Sequence, residues 1–239
     1  MKGSWQRANQ PLELIAAHGA APAQLFGPDA KVDHHNHVYQ EQREGSYGQP
    51  FLGEEESPMA RVPHLSPDEL TPEQKRIHDA IAGARGGAVG GPFAIWLRLP
   101  EIADKANQFG NVLRSHGTLD RRLFELMILV VARQWSAQYE WFVHERAARQ
   151  AGVSDAVIEA IRVRRTPLFE RDDERLVYDI VTELSTTKTL GQASYDGLVA
   201  SFGLERTIEF MTAISFYTMV AMMLNAFDAP VPGNARPLP

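Results

Sequence analysis

The sequence predicts an all-α fold for most of the chain. From residue 71 onward, apolar side chains recur at three- and four-residue spacing, the period of an α-helix, and no segment reads convincingly as a β-strand. Helix-start residues and glycine or proline stops divide this region into separate helices. With 239 residues, 44% of them apolar, the chain is long enough to bury a core as one domain with appendages.

Capping residues mark the ends of the predicted helices. The first helix covers residues 71–82 and precedes a loop that contains Pro92 and Phe93. The last is a long apolar helix that follows Gly203 and ends near Ala226, after a shorter helix at 192–201. Between them, further helices are expected to start at Pro100, Asp120, Ser136, Ser154 and Asp172.

The helical region, residues 61–229, is flanked by two segments of different composition. Residues 1–60 are rich in proline, glycine, glutamine and histidine and lack a sustained apolar period, so we expect an extended or partly ordered N-terminal arm. Residues 230–239 contain four prolines and are expected to form an extended tail.

Charge and apolar content argue against nucleic-acid and membrane partners. The net charge is −6, and the short basic cluster of Arg162, Arg164 and Arg165 is better placed to cap a helix C-terminus than to bind nucleic acid. The apolar stretch Thr207–Leu224 is interrupted by polar residues, which favours a buried or subunit-interface helix over a membrane span.

The chain contains no cysteine. This excludes disulfides, thiolate metal sites and cysteine nucleophiles within it. The N-terminus also lacks an apolar run long enough for a signal peptide. Together these features predict a cytoplasmic protein.

Glu140 and His144 are the first candidates for catalysis. They are four residues apart on a predicted helix, so their side chains lie on one face. A carboxylate beside an imidazole can orient the ring and select its tautomer, which suits general acid–base catalysis. The same spacing is also found in routine surface ion pairs, so it leaves both interpretations open.

Aromatic residues surround this pair in the sequence. Trp135, Tyr139, Trp141 and Phe142 lie within nine residues of His144. Binding sites are often apolar cavities that hold a few placed polar groups, and these aromatic residues could line one. An ordinary aromatic contact between two helices is the alternative.

The region from Arg61 to Pro239 resembles the carboxymuconolactone decarboxylase family, a relative of alkylhydroperoxidase D. The resemblance is strongest at Gln138-Tyr139-Glu140-Trp141 with His144. It also rests on the order and spacing of Gly91-Pro92-Phe93, Leu99-Pro100-Glu101, Arg121–Arg133 and Leu224–Phe227. It implies an alkylhydroperoxidase D-like helical domain that assembles as a homo-oligomer, a trimer or a hexamer.

The peroxidase branch of this superfamily uses a glutamate, a Cys-x-x-Cys pair and a histidine. By the resemblance, the glutamate corresponds to Glu125, the two cysteines to Ala137 and Glu140, and the histidine to His144. The proton-handling positions are kept and both thiols are lost. Thiol-based peroxide reduction therefore cannot operate at these positions.

The resemblance then implies cofactor-free decarboxylation of a small carboxylated lactone or a related acid from aromatic catabolism. In this hypothesis His144 delivers a proton, Glu140 orients the ring and Glu125 supports them or relays protons. Arg133 would bind the substrate carboxylate, because its planar fork matches that anion. The remaining predicted substrate-binding residues are Trp135, Tyr139, Trp141, Phe93 and His116.

Three alternatives stay open. An isomerase or a hydrolase could use the same acid–base pair. A non-enzymatic oligomer would keep the apolar helix as an interface. The cluster Asp33-His34-His35-Asn36-His37 could bind zinc, nickel or copper in a metal-dependent enzyme, but it has few apolar anchors, and we expect no metal site.

Overall fold

The structure is a computed structural model, and it describes residues 60–84, 87 and 89–239. Almost all of the predicted N-terminal arm, including the histidine cluster at 33–37, lies outside the described residues. Within the described part every regular element is helical, which confirms the predicted all-α class.

The α-helices follow one another with short connections. In chain order α1 to α9 are Pro72–Ala84, Pro92–Trp96, Pro100–Asn111, Arg121–Trp135, Gln138–Gln150, Asp155–Arg162, Asp172–Thr187, Gln192–Phe202 and Leu204–Ala226. A π-helical turn, Val112–His116, extends α3. Two 3₁₀ turns, Pro67–Glu69 and Pro232–Asn234, stand before and after the helices.

Local capping explains most of these boundaries. The Asp120 carboxylate accepts from the first backbone amides of α4, and the Ser154 hydroxyl accepts from Val157 N in α6, as the sequence predicts. Ser136 was predicted to cap α5, and this is wrong. It ends α4 instead, in the left-handed conformation with φ 51°, and Ala137 is the residue before α5.

The structure adds one helix that the sequence did not predict. Residues Pro92–Trp96, expected to be a loop, form the short helix α2. Its proline stands at the first turn, where a missing amide costs nothing. The helix is held by burial, because Phe93 and Trp96 are both in the core and pack edge to face at 5.3 Å.

Helix α4 lies at the centre of the fold. Every residue from Arg122 to Arg133 is buried, and the helix packs against α5, α7 and α9. Burying each of its leucine, isoleucine and valine side chains contributes roughly 1.5–3 kcal/mol, so this one helix organises the core. Three of its buried residues, Arg122, Glu125 and Arg133, are nevertheless charged.

A buried charge needs a partner, and these residues find theirs on neighbouring elements. Arg122 binds Glu174 at 2.5 Å and Asp173 at 2.7 Å, which ties α4 to the start of α7. Glu125 faces α5 instead. The polar contacts of α4 therefore fix how its neighbours are placed around it.

Helix α9 is apolar around most of its circumference. By length and composition it is the one helix among the described residues that could cross a membrane, with a mean hydropathy of 1.4, and half of that stretch is buried within the fold. Its inward face, including Phe210, Phe216 and Tyr217, packs on α4 and its neighbours. Its outward face carries exposed Ile208 and Met222.

Candidate active site

The centre of the candidate site is a hydrogen bond between α4 and α5. His144 Nδ1 lies 2.8 Å from Glu125 Oε2. The Glu125 side chain is fully buried, whereas the imidazole is 16% exposed. Within the described part of the chain, His144 Nε2 has no hydrogen-bond partner, so this nitrogen is the one available to another molecule.

This arrangement corrects the predicted roles of the two glutamates. The sequence predicted that Glu140 orients the imidazole and that Glu125 supports it or relays protons. In the structure Glu125 holds the ring. The reason is the α4–α5 hairpin, which brings Glu125 to the imidazole from the facing helix, while Glu140 turns into the core.

The buried carboxyl group of Glu140 is not paired with a polar group of any described residue. Glu140 is 2% exposed, and neither of its carboxylate oxygens has a hydrogen-bond partner among the described residues. Burial disfavours the charged form, and it raises the pKa of Glu140 well above the usual value for a glutamate. The protonated carboxylic acid is therefore the form that the fold favours here.

Glu125 has the opposite protonation preference. Burial by itself would raise the pKa of Glu125, but the charge and hydrogen bond of His144, together with nearby Arg121 and Arg114, hold that pKa below its usual value. The surroundings thus favour the charged form of Glu125 and the neutral form of Glu140. Environments that separate the pKa values of two carboxyl groups are typical of acid–base sites.

Arg121 lies at the solvent side of this pair. Its Nη2 is 2.5 Å from Glu125 Oε1, and its guanidinium lies 5.8 Å from the centre of the Phe124 ring. The Arg121 side chain is 39% exposed, whereas that of Glu125 is buried. A positive charge is therefore present at the solvent-facing edge of the site.

Tyr217 of α9 forms one wall of the site. Its ring meets the His144 ring edge to face at 5.4 Å and the Phe124 ring at 5.6 Å. Burial raises the pKa of Tyr217 to about 12; the negative charges of Glu125 and Glu140 act in the same direction, and Arg114 opposes them. The phenol therefore keeps its proton at any physiological pH.

No functional role was predicted from the sequence for Tyr217, Arg121 or Arg114. Tyr217 stood in an apolar helix that was interpreted as core or interface. One signal was available, because a tyrosine in such a helix needs a partner for its hydroxyl. Which helix would face His144 could not be deduced from spacing within α5.

The aromatic residues predicted around His144 are dispersed. Trp141 is fully buried in the core, where its Nε1 donates to Glu145 Oε2 at 3.0 Å. Trp135 and Phe142 are 37% and 39% exposed. Residues on successive positions of a helix point in different directions, so their closeness in sequence did not place them in one cavity. The ring that packs against His144 is that of Tyr217 in α9, and Phe124 of α4 packs against Tyr217 in turn.

Tyr139 and Phe93, two of the predicted substrate-binding residues, both lie near the start of α2. A Cβ on Gly91, which has a φ of 57°, would stand 2.5 Å from the Tyr139 ring, so only glycine fits beneath that ring. Phe93 is buried against Trp96. The side chain of His116 is not among those that the structure describes.

Arg133 is not placed as predicted. Its Nε donates to the carbonyl of Arg162 at 2.8 Å, and its Nη1 donates to Ser136 Oγ at 3.0 Å. Arg133 is eight residues from Glu125, which is about 12 Å along α4. Arg121, and not Arg133, is the cation in contact with Glu125, the partner of the imidazole.

Over the described residues, no group of three or more histidine, aspartate or glutamate side chains is placed to hold a metal ion. The contacts of the site join the Glu125 carboxylate to the His144 imidazole and the Arg121 guanidinium, and the Tyr217 ring packs against the imidazole.

Comparison with known proteins gives a family match and a similar solved structure. The model of the carboxymuconolactone decarboxylase family matches residues 100–171, which include α4, α5 and both Glu125 and His144. The fold is similar to that of an uncharacterized peroxidase-related protein from Silicibacter sp. TM1040. The TM-score is 0.61 and the identity 17%, over 78% of this chain and 99% of the other. No curated protein matches the sequence.

The described helices thus form a fold similar to that of a peroxidase-related protein. Residues 100–171 match the carboxymuconolactone decarboxylase family, and over those residues the resemblance predicted from the sequence is confirmed.

Burial of Glu140 predicts a specific dependence of stability on pH. Above its ordinary pKa of 4.5, the unfolded state releases the Glu140 proton while the folded state keeps it. Stability is therefore lost as pH rises through this window, by up to about 1.4 kcal/mol per pH unit. Glu140→Gln removes this term, so its unfolding free energy should increase relative to wild type as pH rises from 5 to 8.

Urea denaturation at several pH values measures this difference. Glu170→Gln, a substitution of an exposed glutamate, is the matched control and should leave the profile unchanged. Parallel stability profiles for wild type and Glu140→Gln would show that Glu140 is ionised in the folded protein.

Proposed function

We propose that this protein is an acid–base enzyme that decarboxylates a small carboxylated lactone or a related acid, without an organic cofactor or a metal ion. The observation that carries the proposal is the buried Glu125–His144 hydrogen bond, which leaves Nε2 for the substrate. The match to the carboxymuconolactone decarboxylase family supports the same reaction class.

The proposed reaction requires few groups. The bond between the substrate carbon and its carboxylate breaks, carbon dioxide leaves, and the electron pair remains as an enolate delocalised onto a neighbouring carbonyl. His144 Nε2 then gives a proton to that carbon, and the imidazole regains a proton from solvent. The sum is one carboxylate and one proton converted to carbon dioxide and a carbon–hydrogen bond.

Glu125 is proposed to orient the ring and to stabilise the imidazolium. Its carboxylate accepts from Nδ1, which fixes the tautomer and aims Nε2 away from α4. A buried carboxylate that supports a catalytic histidine in this way usually stays ionised through the reaction. The lowered pKa of Glu125 agrees with that role.

Glu140, one helical turn from His144 on α5, is proposed as a neutral acid of the site. A protonated carboxyl group can donate a hydrogen bond to a developing oxyanion at a pH where an ordinary glutamate cannot. Glu140 occupies the position of a family thiol, and its burial keeps the proton in place. A carboxylic acid would thus stand where the peroxidase branch has a redox-active thiol.

Arg121 takes over the role first predicted for Arg133. It combines a positive charge beside Glu125 with partial exposure, and a guanidinium suits a carboxylate that arrives from solvent. A substrate held there would place its carboxylate near the solvent edge and its reacting carbon toward His144.

Thiol peroxidase activity is not proposed. The similar solved structure carries the description peroxidase-related, but this chain has Ala137 and Glu140 where that chemistry needs sulfur, and it contains no cysteine at all. Isomerisation or hydrolysis by the same residues would release no carbon dioxide. Product analysis therefore separates them from the proposed reaction.

His144→Asn should lower the rate of carbon dioxide release by at least about 100-fold, because general acid catalysis contributes roughly 10²–10⁴-fold. The measurement is carbon dioxide release from a panel of carboxylated lactones, with wild type defining the substrate. His78→Asn is the matched control, because His78 makes a similar pair with Asp79 at 3.1 Å on the surface of α1. Turnover by His144→Asn equal to that of wild type would remove the imidazole from the mechanism.

We also propose that a second copy of the chain covers the outward face of α9. Leu204, Ile208, Met219 and Met222 of this helix are each 41–58% exposed, and Ile102 and Phe109 of α3 are 49% and 45% exposed. Between the helices runs an open groove of about 760 Å³. Monomeric proteins rarely expose apolar surface of this continuity.

Ile208→Glu should therefore reduce the oligomer mass measured by light scattering after size-exclusion chromatography. The control is Leu168→Glu, because Leu168 is 94% exposed outside the apolar face. The wild type is expected as a trimer or hexamer, with the control equal to it. A monomeric wild type, or an unchanged mass for Ile208→Glu, contradicts this proposal.

A further inference from the structure

Two arginines meet at a small cleft near the C-terminal end of α4. Arg133 and Arg164 line it together with Gln134, Tyr178, Val130 and Ile161, and its volume is about 160 Å³. Arg133 is 7% exposed, so it lies at the base of the cleft. Arg164 is exposed and lies at the rim.

Neither arginine has an acidic partner. Across the described residues, no aspartate or glutamate oxygen is within ion-pair distance of Arg133 or Arg164. This contrasts with Arg122, the other buried arginine of α4, which binds two carboxylates. Burial and the charge of Arg164 both lower the pKa of Arg133. Two like charges are therefore held side by side, and no counter-ion for them lies in the part of the chain that the structure describes.

Backbone conformation and hydrogen bonds hold the side chain of Arg164 close to Arg133. Ser136 and Arg164 both adopt the left-handed conformation, with φ of 51° and 57°, which is uncommon for residues other than glycine. Arg164 Nη2 donates to the carbonyl of Arg133 at 3.0 Å and to Ser136 Oγ at 3.1 Å. These bonds turn the side chain of Arg164 back toward Arg133.

The hydrogen bonds to helix ends use only some of the N–H donors of the two guanidiniums. The carbonyls of Arg133 and Arg162, at the ends of α4 and α6, accept from the two guanidiniums. Each guanidinium carries five N–H donors. Arg133 uses its Nε and Nη1 for the bonds to Arg162 and Ser136, which leaves Nη2 without a partner within the described part of the chain. The pair therefore has unused donors as well as uncompensated charge.

We propose that this cleft binds a phosphate-type oxyanion, either as free phosphate or as the phosphate group of a small metabolite. Such an anion would neutralise both guanidiniums, accept from their unused N–H groups and fit a volume of this size. Tyr178 and Gln134 supply further polar groups at its edge. The site is separate from the His144 site, because Arg133 and Glu125 are about 12 Å apart along α4.

Arg164→Gly tests this proposal with little risk to folding. Glycine adopts a φ of 57° without strain, and the substitution removes the exposed guanidinium while it leaves Arg133 in place. Lys188→Gly is the matched control, since Lys188 is also a cation with a left-handed φ, 66°, but lies ten residues beyond Tyr178 along α7.

Isothermal titration with inorganic phosphate should show one saturable site in wild type and in Lys188→Gly. In Arg164→Gly the dissociation constant should increase at least tenfold. Titration with methyl phosphate at constant ionic strength separates the two sources: tighter binding than inorganic phosphate indicates the phosphate group of a metabolite, and weaker binding indicates the free ion. The absence of saturable binding in wild type, or equal affinity in Arg164→Gly, would overturn the proposal.

A second readout does not depend on heat of binding. With phosphate, wild type and Lys188→Gly should gain more thermal stability than Arg164→Gly, relative to sodium chloride of matched ionic strength. An equal gain in all three proteins would indicate a general salt effect and contradict a specific site.

Discussion

The buried carboxylate of Glu125 imposes the main constraint on this structure. A charged group in the middle of the central helix would be costly unless it were paired, and its two partners come from different places. His144 reaches it across the α4–α5 hairpin at 2.8 Å, and Arg121 reaches it from one helical turn away at 2.5 Å. The need to compensate one charge thus aligns two helices and orients the imidazole. The Tyr217 ring of α9 then packs against the imidazole edge to face.

The second buried carboxyl group, that of Glu140, lies in surroundings that favour its neutral form. Glu140 has no partner within the described part of the chain, and burial favours its protonated form. By the family resemblance, this chain has an alanine and a glutamate where the peroxidase branch has its two cysteines, and it contains no cysteine. The site is therefore suited to moving protons rather than electrons. Such a network can serve decarboxylation because that reaction requires an oriented proton donor and a positive charge for the departing carboxylate.

Much of the fold could be predicted from the sequence, because caps and periodicity are local signals. Asp120 and Ser154 marked helix starts correctly, and Gly203 separated the last two helices. The site was harder to predict, because it depends on how helices pack. Spacing within α5 favoured Glu140 as the partner of His144, whereas the partner is on α4. Tyr217 entered from α9, and Arg133 turned toward Arg164, for the same reason: tertiary packing decides which faces meet.

The protonation states of Glu125 and Glu140 at neutral pH test this account most directly. Carbon-13 NMR of protein labelled at the glutamate side-chain carboxyl carbons distinguishes a carboxylic acid from a carboxylate. The account predicts one glutamate signal that stays protonated at pH 7, disappears in Glu140→Gln and persists in Glu125→Gln. Titration of every glutamate near the ordinary pKa of 4.5, or a protonated signal that belongs to Glu125, would contradict it.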